Sequence, residues 1–94
     1  MEEQAKKAAE LLKLLGNENR LLILCALIDG PRTVSHIHSR IPRITQSALS
    51  QHLTLLKASG VLESERAGMN TEYHIADNRV VALMGSLKEH FCGE

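Results

Sequence analysis

Ninety-four residues suffice for one domain but leave a lone chain only a modest core. Trp is absent and Tyr73 and Phe91 are the only aromatics, so that core must be built from Leu, Ile and Val. Eleven Lys and Arg balance eleven Asp and Glu, which argues against a uniformly basic nucleic-acid binder. The charges are unevenly spread, however. From Gly30 to Leu62 there is no Asp or Glu, while Arg32, Arg40, Arg43 and Lys57 all fall inside that window, which leaves room for one basic face.

Cys25 and Cys92 lack CxxC spacing, so neither a zinc ribbon nor a thioredoxin-like motif is present. The longest apolar run, Leu21 to Ile28, is far below membrane length, and Met1 opens onto a charged stretch rather than a signal peptide. These features predict a cytoplasmic chain whose thiols rest reduced. No nucleophile–base constellation or phosphate-cradling glycine loop occurs, so no enzyme is expected.

Glu2 to Leu15 reads as a helix with Ala5, Ala8, Leu12 and Leu15 along one stripe, acids at its start and Lys13 near its end. Leu11 and Leu14 widen its apolar surface, either for core packing or for a subunit contact. Gly16 breaks it, and Asn17 can cap a second helix from Glu18 to Ile28. Leu21 to Ile28 is apolar on every side, which predicts a helix buried all round, with Cys25 inside it as a small hydrophobe or as something more. Asp29, Gly30 and Pro31 end that helix.

Thr33 suits the N-cap of a short helix reaching about Arg40, with Val34, Ile37 and Ile41 inward. His36 and His38 stand two apart and diverge on a helix, so they cannot chelate one ion together. Pro42 forces a break before the stretch Thr45 to Gly60. That stretch puts Leu49, His52, Leu53 and Leu56 on one face and Gln46, Ser47, Ser50, Gln51 and Thr54 on the other. The second face is nearly uncharged yet dense in amides and hydroxyls, which suits the reading of base edges. His52, on the apolar stripe, is expected to pack rather than touch DNA. Two short helices joined by a tight turn, the second polar outside, form a helix-turn-helix pattern.

Beyond Gly60, Leu62, Ser64 and Arg66 alternate with Val61, Glu63 and Glu65, and Thr71, Tyr73 and Ile75 alternate likewise. Ala67-Gly68-Met69-Asn70 supplies the turn of a hairpin, and His74 should face solvent. Asp77 or Asn78 can cap a last helix running through Phe91, with Val80, Leu83, Met84, Leu87 and Phe91 along its stripe and the first helix as its partner. The expected architecture is mainly α with a β-hairpin wing (α+β): a winged helix-turn-helix of order α1-α2-α3-α4-β-β-α5, one domain over residues 1–94.

Three motifs in this order resemble the ArsR/SmtB family of winged-helix repressors: Leu14 to Leu24 (LLGNENRLLIL), Gln46 to Leu62 (QSALSQHLTLLKASGVL) and the wing ending Glu72 to Ile75 (EYHI). The resemblance implies a homodimer through the first and last helices, double-stranded operator DNA as partner, and repression relieved by an inducer. On it, Gln46, Ser47, Ser50, Gln51 and Thr54 would meet bases, while Arg40, Arg43, Lys57 and Arg66 would meet phosphates. The wing departs from more basic family wings, since Met69 and Asn70 stand where cations are expected.

The inducer divides the family. Arsenite and cadmium sensors carry cysteines near the places of Thr33 and Ser35 here, and His38 alone makes no site. Zinc sensors carry a ligand set on the last helix of which Asp77 and His90 match but Arg79 and Gly93 do not. No metal or cofactor is therefore expected. The better resemblance is to the dithiol subgroup, which senses sulfide-derived persulfides or oxidants: the run Leu21 to Cys25 and the pair Phe91-Cys92 fit both of its cysteine places. It implies a small sulfur or oxidant inducer acting on Cys25 and Cys92. A metal-responsive repressor, or a winged-helix module that binds protein instead of DNA, are the competing readings.

Overall fold

A computed structural model describes residues 1–92 of the chain. In chain order it contains α1 (Glu2–Leu15), α2 (Glu18–Leu27), β1 (Arg32–Thr33), α3 (Val34–Arg40), α4 (Gln46–Ala58), β2 (Leu62–Ala67), β3 (Asn70–Ile75) and α5 (Asn78–Leu87), and then a π-helical turn over Lys88–Cys92. This is the winged helix-turn-helix that the sequence predicts, with one addition. The hairpin β2–β3 gains a third antiparallel strand, so the sheet order is β1-β3-β2, with Arg32 opposite Tyr73 and Thr33 opposite Glu72.

Each helix start after that of α1, where Met1 provides no side-chain cap, follows from a short polar side chain. Asn17 Oδ1 accepts from the backbone N–H of Asn19 and Arg20, Thr33 Oγ1 from His36, Thr45 Oγ1 from Ala48, and Asp77 Oδ1 from Arg79. Such caps satisfy donors that a helix leaves orphaned, and each is worth about 1 kcal/mol. The end of α4 is equally defined. Gly60 adopts φ 84°, and the N–H groups of Gly60 and Val61 return to the carbonyls of Lys57 and Leu56 at 3.0 Å, a Schellman arrangement. The chain thereby reverses directly from α4 into β2. Gly68, at φ 67°, makes the wing turn.

The core is aliphatic as expected. Leu24 and Leu27 of α2, Ile37 of α3, Leu49 and Leu56 of α4, Leu62 of β2 and Met84 of α5 are all buried. Two expectations about helix faces do not hold. In α1 only Leu15 is buried, with Leu11 and Leu14 packed at the core edge, while Ala5 and Ala8 are exposed and Leu12 is 56% exposed. The helix rolls so that its last turn, not its whole stripe, meets the core. In α2, Ile23, Leu24, Ala26 and Leu27 are buried, but Leu21, Leu22, Cys25 and Ile28 are only half-buried, because α3 and the sheet cover one side of the helix within a single chain.

The last helix also ends early. Residues Lys88–Cys92 widen into a π-helical turn, which rotates Phe91 off the stripe of Val80 and Met84 and leaves it 78% exposed. The same rotation turns Cys92 toward α2. His74 is half-buried rather than solvated, with Nε2 3.5 Å from Glu63 Oε1 on the neighbouring strand. Among the described residues no helix is long and apolar enough to cross a membrane.

Candidate functional site

Two surfaces carry the chemistry, one on α4 and the wing, the other where α2 meets the terminal turn. On α4, Leu49, Leu53 and Leu56 are buried, which fixes the helix rotation and turns Gln46, Ser47, Ser50, Gln51 and Thr54 outward, all exposed. Leu55, 39% exposed, lies among them. His52 is held on the inner side: its Nδ1 accepts from Arg20 Nε at 3.5 Å, while Arg20 Nη1 donates to the Leu14 carbonyl at 2.8 Å. One guanidinium thus links α1, α2 and α4. Burial, with a smaller contribution from the Arg20 charge, lowers the His52 pKa below its ordinary value, so the imidazole is neutral at pH 7.

His38 is also structural. Its Nε2 donates to the Ile44 carbonyl at 2.9 Å, which pins the turn between α3 and α4. A groove of about 410 Å³ runs between the starts of α3 and α4 and the wing tip, bounded by Ser35, Gln46, Met69 and Asn70 among others. The wing tip therefore faces the first residue of α4 across a polar channel.

The cations expected to meet phosphate are not equivalent. Arg43 donates to Asn19 Oδ1 at 3.1 Å and pairs with Glu18 at 3.1 Å; both ion-pair side chains are more than half exposed. Such a pair contributes at most about 1 kcal/mol, so a phosphate can displace it readily. Lys57 Nζ donates to Ser64 Oγ at 2.7 Å, which ties α4 to β2. Arg66 is exposed on β2. Glu65 stands opposite Glu72 in the hairpin, and Glu63 lies on the same strand as Glu65, so the wing carries more negative than positive charge. Arg40 lies elsewhere, beside the cysteines.

At the second surface Cys25 and Cys92 are joined as a disulfide, with Cα atoms 5.4 Å apart across a separation of 67 residues. That separation falls within the span a direct bridge requires, about 4.4–6.8 Å. Both residues are half-buried, so Cys25 is less enclosed than an all-round buried α2 would make it. A cleft of about 220 Å³ opens on the pair and is lined by Asp29, Arg32, Arg40 and Lys88 as well as Ala26 and Ile28. Lys88 Nζ donates to Asp29 Oδ1 at 2.9 Å, tethering the terminal turn to the end of α2. The Lys88 hydrogen bond and charge hold the Asp29 carboxyl below its usual pKa, with Arg32 and Arg40 contributing at longer range. Asp29 and Lys88 each lie four residues from one of the cysteines in sequence, whereas Arg32 and Arg40 reach the pair only through the fold.

Asp77 caps α5 and is gripped by Arg79 through Nε at 3.1 Å and Nη2 at 2.7 Å, so its carboxylate is occupied by a cation. Gly93, the other place relevant to a last-helix zinc set, lies outside the described residues.

The sequence model of the arsR family of bacterial regulatory proteins matches residues 17–64, the segment from the α2 cap through α4 into β2. The chain belongs to the arsR family. It is 37% identical to the transcriptional activator HlyU of Vibrio cholerae serotype O1, over 98% of this chain and 84% of that protein. The structure of reduced HlyU from Vibrio cholerae N16961 superposes with a TM-score of 0.90 at 36% identity, covering 99% of this chain and 97% of that one. The transcriptional repressor BigR from Xylella fastidiosa superposes with a TM-score of 0.86 at 33% identity, covering 100% and 95%. This ArsR-family chain is thus a transcriptional regulator with a winged-helix fold, and its relatives are regulators rather than enzymes.

Proposed function

We propose that this regulator is a homodimeric, cytoplasmic repressor that leaves its operator when a persulfide or an oxidant couples Cys25 to Cys92. In this reading residues 1–94 form a single winged-helix domain that dimerises through α1 and α5. The exposed apolar residues Leu12, Val81 and Phe91 favour such a contact, since a chain this small gains much of its burial by association. A two-fold dimer would set its two α4 helices about one DNA turn, roughly 34 Å, apart on a palindromic site.

Gln46, Ser47, Ser50, Gln51 and Thr54 then read base edges, and Arg43, Lys57 and Arg66 neutralise phosphates, with Arg40 contributing from the end of α3. The observation that carries the regulatory half is the 5.4 Å Cα separation of Cys25 and Cys92. Cys25 stands on α2, which packs on α3 of the helix-turn-helix, and Cys92 stands at the end of the element carrying the dimer face. A covalent link between them ties the DNA-binding half to the dimerising half and biases the spacing of the two α4 helices. Attack begins at Cys92, on the π-helical turn, and Cys25, on α2, resolves it.

The test is operator binding by the reduced wild type and by Cys25→Ser and Cys92→Ser, before and after tetrasulfide, peroxide or zinc, with mass spectrometry of each sample. Release by the sulfur or oxidant reagents in the wild type only, together with an intramolecular Cys25–Cys92 link, is expected. Release from both serine variants, or release by zinc alone, would overturn the thiol reading.

A further inference from the structure

One leucine of α4 is not used by the core. Leu49, Leu53 and Leu56 are buried there, whereas Leu55 is 39% exposed and stands outside the aliphatic cluster that the other three join. At about 3.6 residues per turn, Ser47, Gln51, Leu55 and Ala58 follow one another at i, i+4, i+8 and i+11, so they form one row along the outer side of the helix. All four are exposed. Leu55 therefore prolongs the row that begins with Ser47 and Gln51, and it is the one large apolar side chain in that row. Together with Ser50, Gln51, Thr54 and Ala58 it borders a shallow depression of about 440 Å³. Ser50, Gln51 and Thr54 bring hydroxyls and an amide to this surface, while Leu55 and Ala58 bring methyl groups. None of the five carries a charge, so nothing among them repels a base edge or competes for it with a phosphate.

We propose that Leu55 is a specificity-determining residue, which packs against the C5-methyl group of a thymine in the major groove. This rests on the base-reading role of α4 proposed above and names one base for it. The thymine methyl is the apolar group that base pairs present in the major groove; cytosine presents an amino donor there and no methyl. An aliphatic side chain can satisfy none of the hydrogen-bonding edges of the other bases, and covering such an edge without a partner is costly. Leucine thus favours thymine by burying its methyl and disfavours the other bases by desolvating their polar atoms. Leu55 lies four residues beyond Gln51, about 6 Å along the helix axis. At about 3.4 Å per base pair, its thymine falls within about two steps of the base that Gln51 reads.

The test uses the reduced full chain and the duplex that it selects from a random-sequence pool. Each thymine of that duplex is replaced in turn by deoxyuridine, which removes the methyl group and leaves the hydrogen-bonding edge intact. Affinity is measured by competition for the wild type, Leu55→Ala and Leu55→Met. In the wild type one such replacement should weaken binding about 4-fold, the worth of burying one methyl group. Leu55→Ala should bind the thymine and uracil duplexes alike at that position, and Leu55→Met, with an apolar side chain of similar reach, should keep the difference. Because Leu55 lies outside the core, Leu55→Ala should retain wild-type affinity for random duplex, which excludes a folding defect. A uracil effect of equal size in the wild type and Leu55→Ala, or none at any thymine, would overturn the Leu55 contact while leaving α4 as the reader. Selection of no preferred sequence, or a preference unchanged in Gln51→Ala, would overturn the reading role of α4 itself, and the Leu55 contact with it.

Discussion

Closing the Cys25–Cys92 link should change stability by an amount that follows from its place in the chain. The bridge spans 67 of the 94 residues. In the chain-entropy account a loop of that length removes about 15 cal/mol/K from the unfolded ensemble, about 4 kcal/mol at 25 °C. For a chain of this size the urea dependence is about 1–3 kcal/mol/M, so the oxidised midpoint should rise by about 1.5–4 M. The assay is urea unfolding of oxidised and reduced protein at one protomer concentration, because a dimer's stability depends on concentration. Cys25→Ser treated identically should show no rise. If mass spectrometry finds the bridge in the wild type and the two midpoints coincide, the bridge strains the fold by as much as it constrains the unfolded chain. The idea that both cysteines sit ready to pair in one relaxed structure would then be wrong.

Replacing Gln51 by Ala should relax sequence preference at one operator position and cost on the order of 1–3 kcal/mol on the specific site, with little change on random DNA, as measured by competition binding. Arg43→Ala should weaken specific and random DNA alike and flatten the salt dependence of binding, because only its pair with Glu18 and Asn19 is lost in the free protein. Thr45→Ala removes the cap of α4 and should cost about 1 kcal/mol in urea unfolding. The pKa of His52 is depressed in the folded chain, so the unfolded state binds the proton first: stability is full above the ordinary histidine pKa of about 6.5 and falls as pH drops below it. His52→Gln should blunt that fall, read as the urea midpoint against pH.

The fold was legible because its helix boundaries are written in local chemistry. Asn17, Thr33 and Asp77 each accept a backbone hydrogen bond where a cap was expected, Thr45 does the same at the start of α4, and Gly60 takes the positive φ that ends α4. What escaped notice depends on distant partners. Arg32–Thr33 is too short to show any period, and it becomes a strand only because Tyr73 and Glu72 lie opposite. The register of α1 against the core is set by its last turn, so a stripe counted from Ala5 chose an exposed face. Periodicity carried the last helix through Phe91, but the terminal turn widens and sends that ring outward. The outward polar row on α4 was readable because Leu49, Leu53 and Leu56 fix the opposite face. The cation-lined cleft was not, since Asp29, Arg32, Arg40 and Lys88 meet only when α2, β1, α3 and the terminal turn are packed together.

The most direct measurement is the operator affinity of two preparations of the wild type at one salt concentration, one fully reduced and one carrying the intramolecular Cys25–Cys92 link. A coupling of about 1–3 kcal/mol, the usual scale for linked sites, predicts that the linked form binds roughly 5- to 150-fold more weakly, and that reduction restores the affinity. Equal affinity of the two preparations for the same operator would contradict the account.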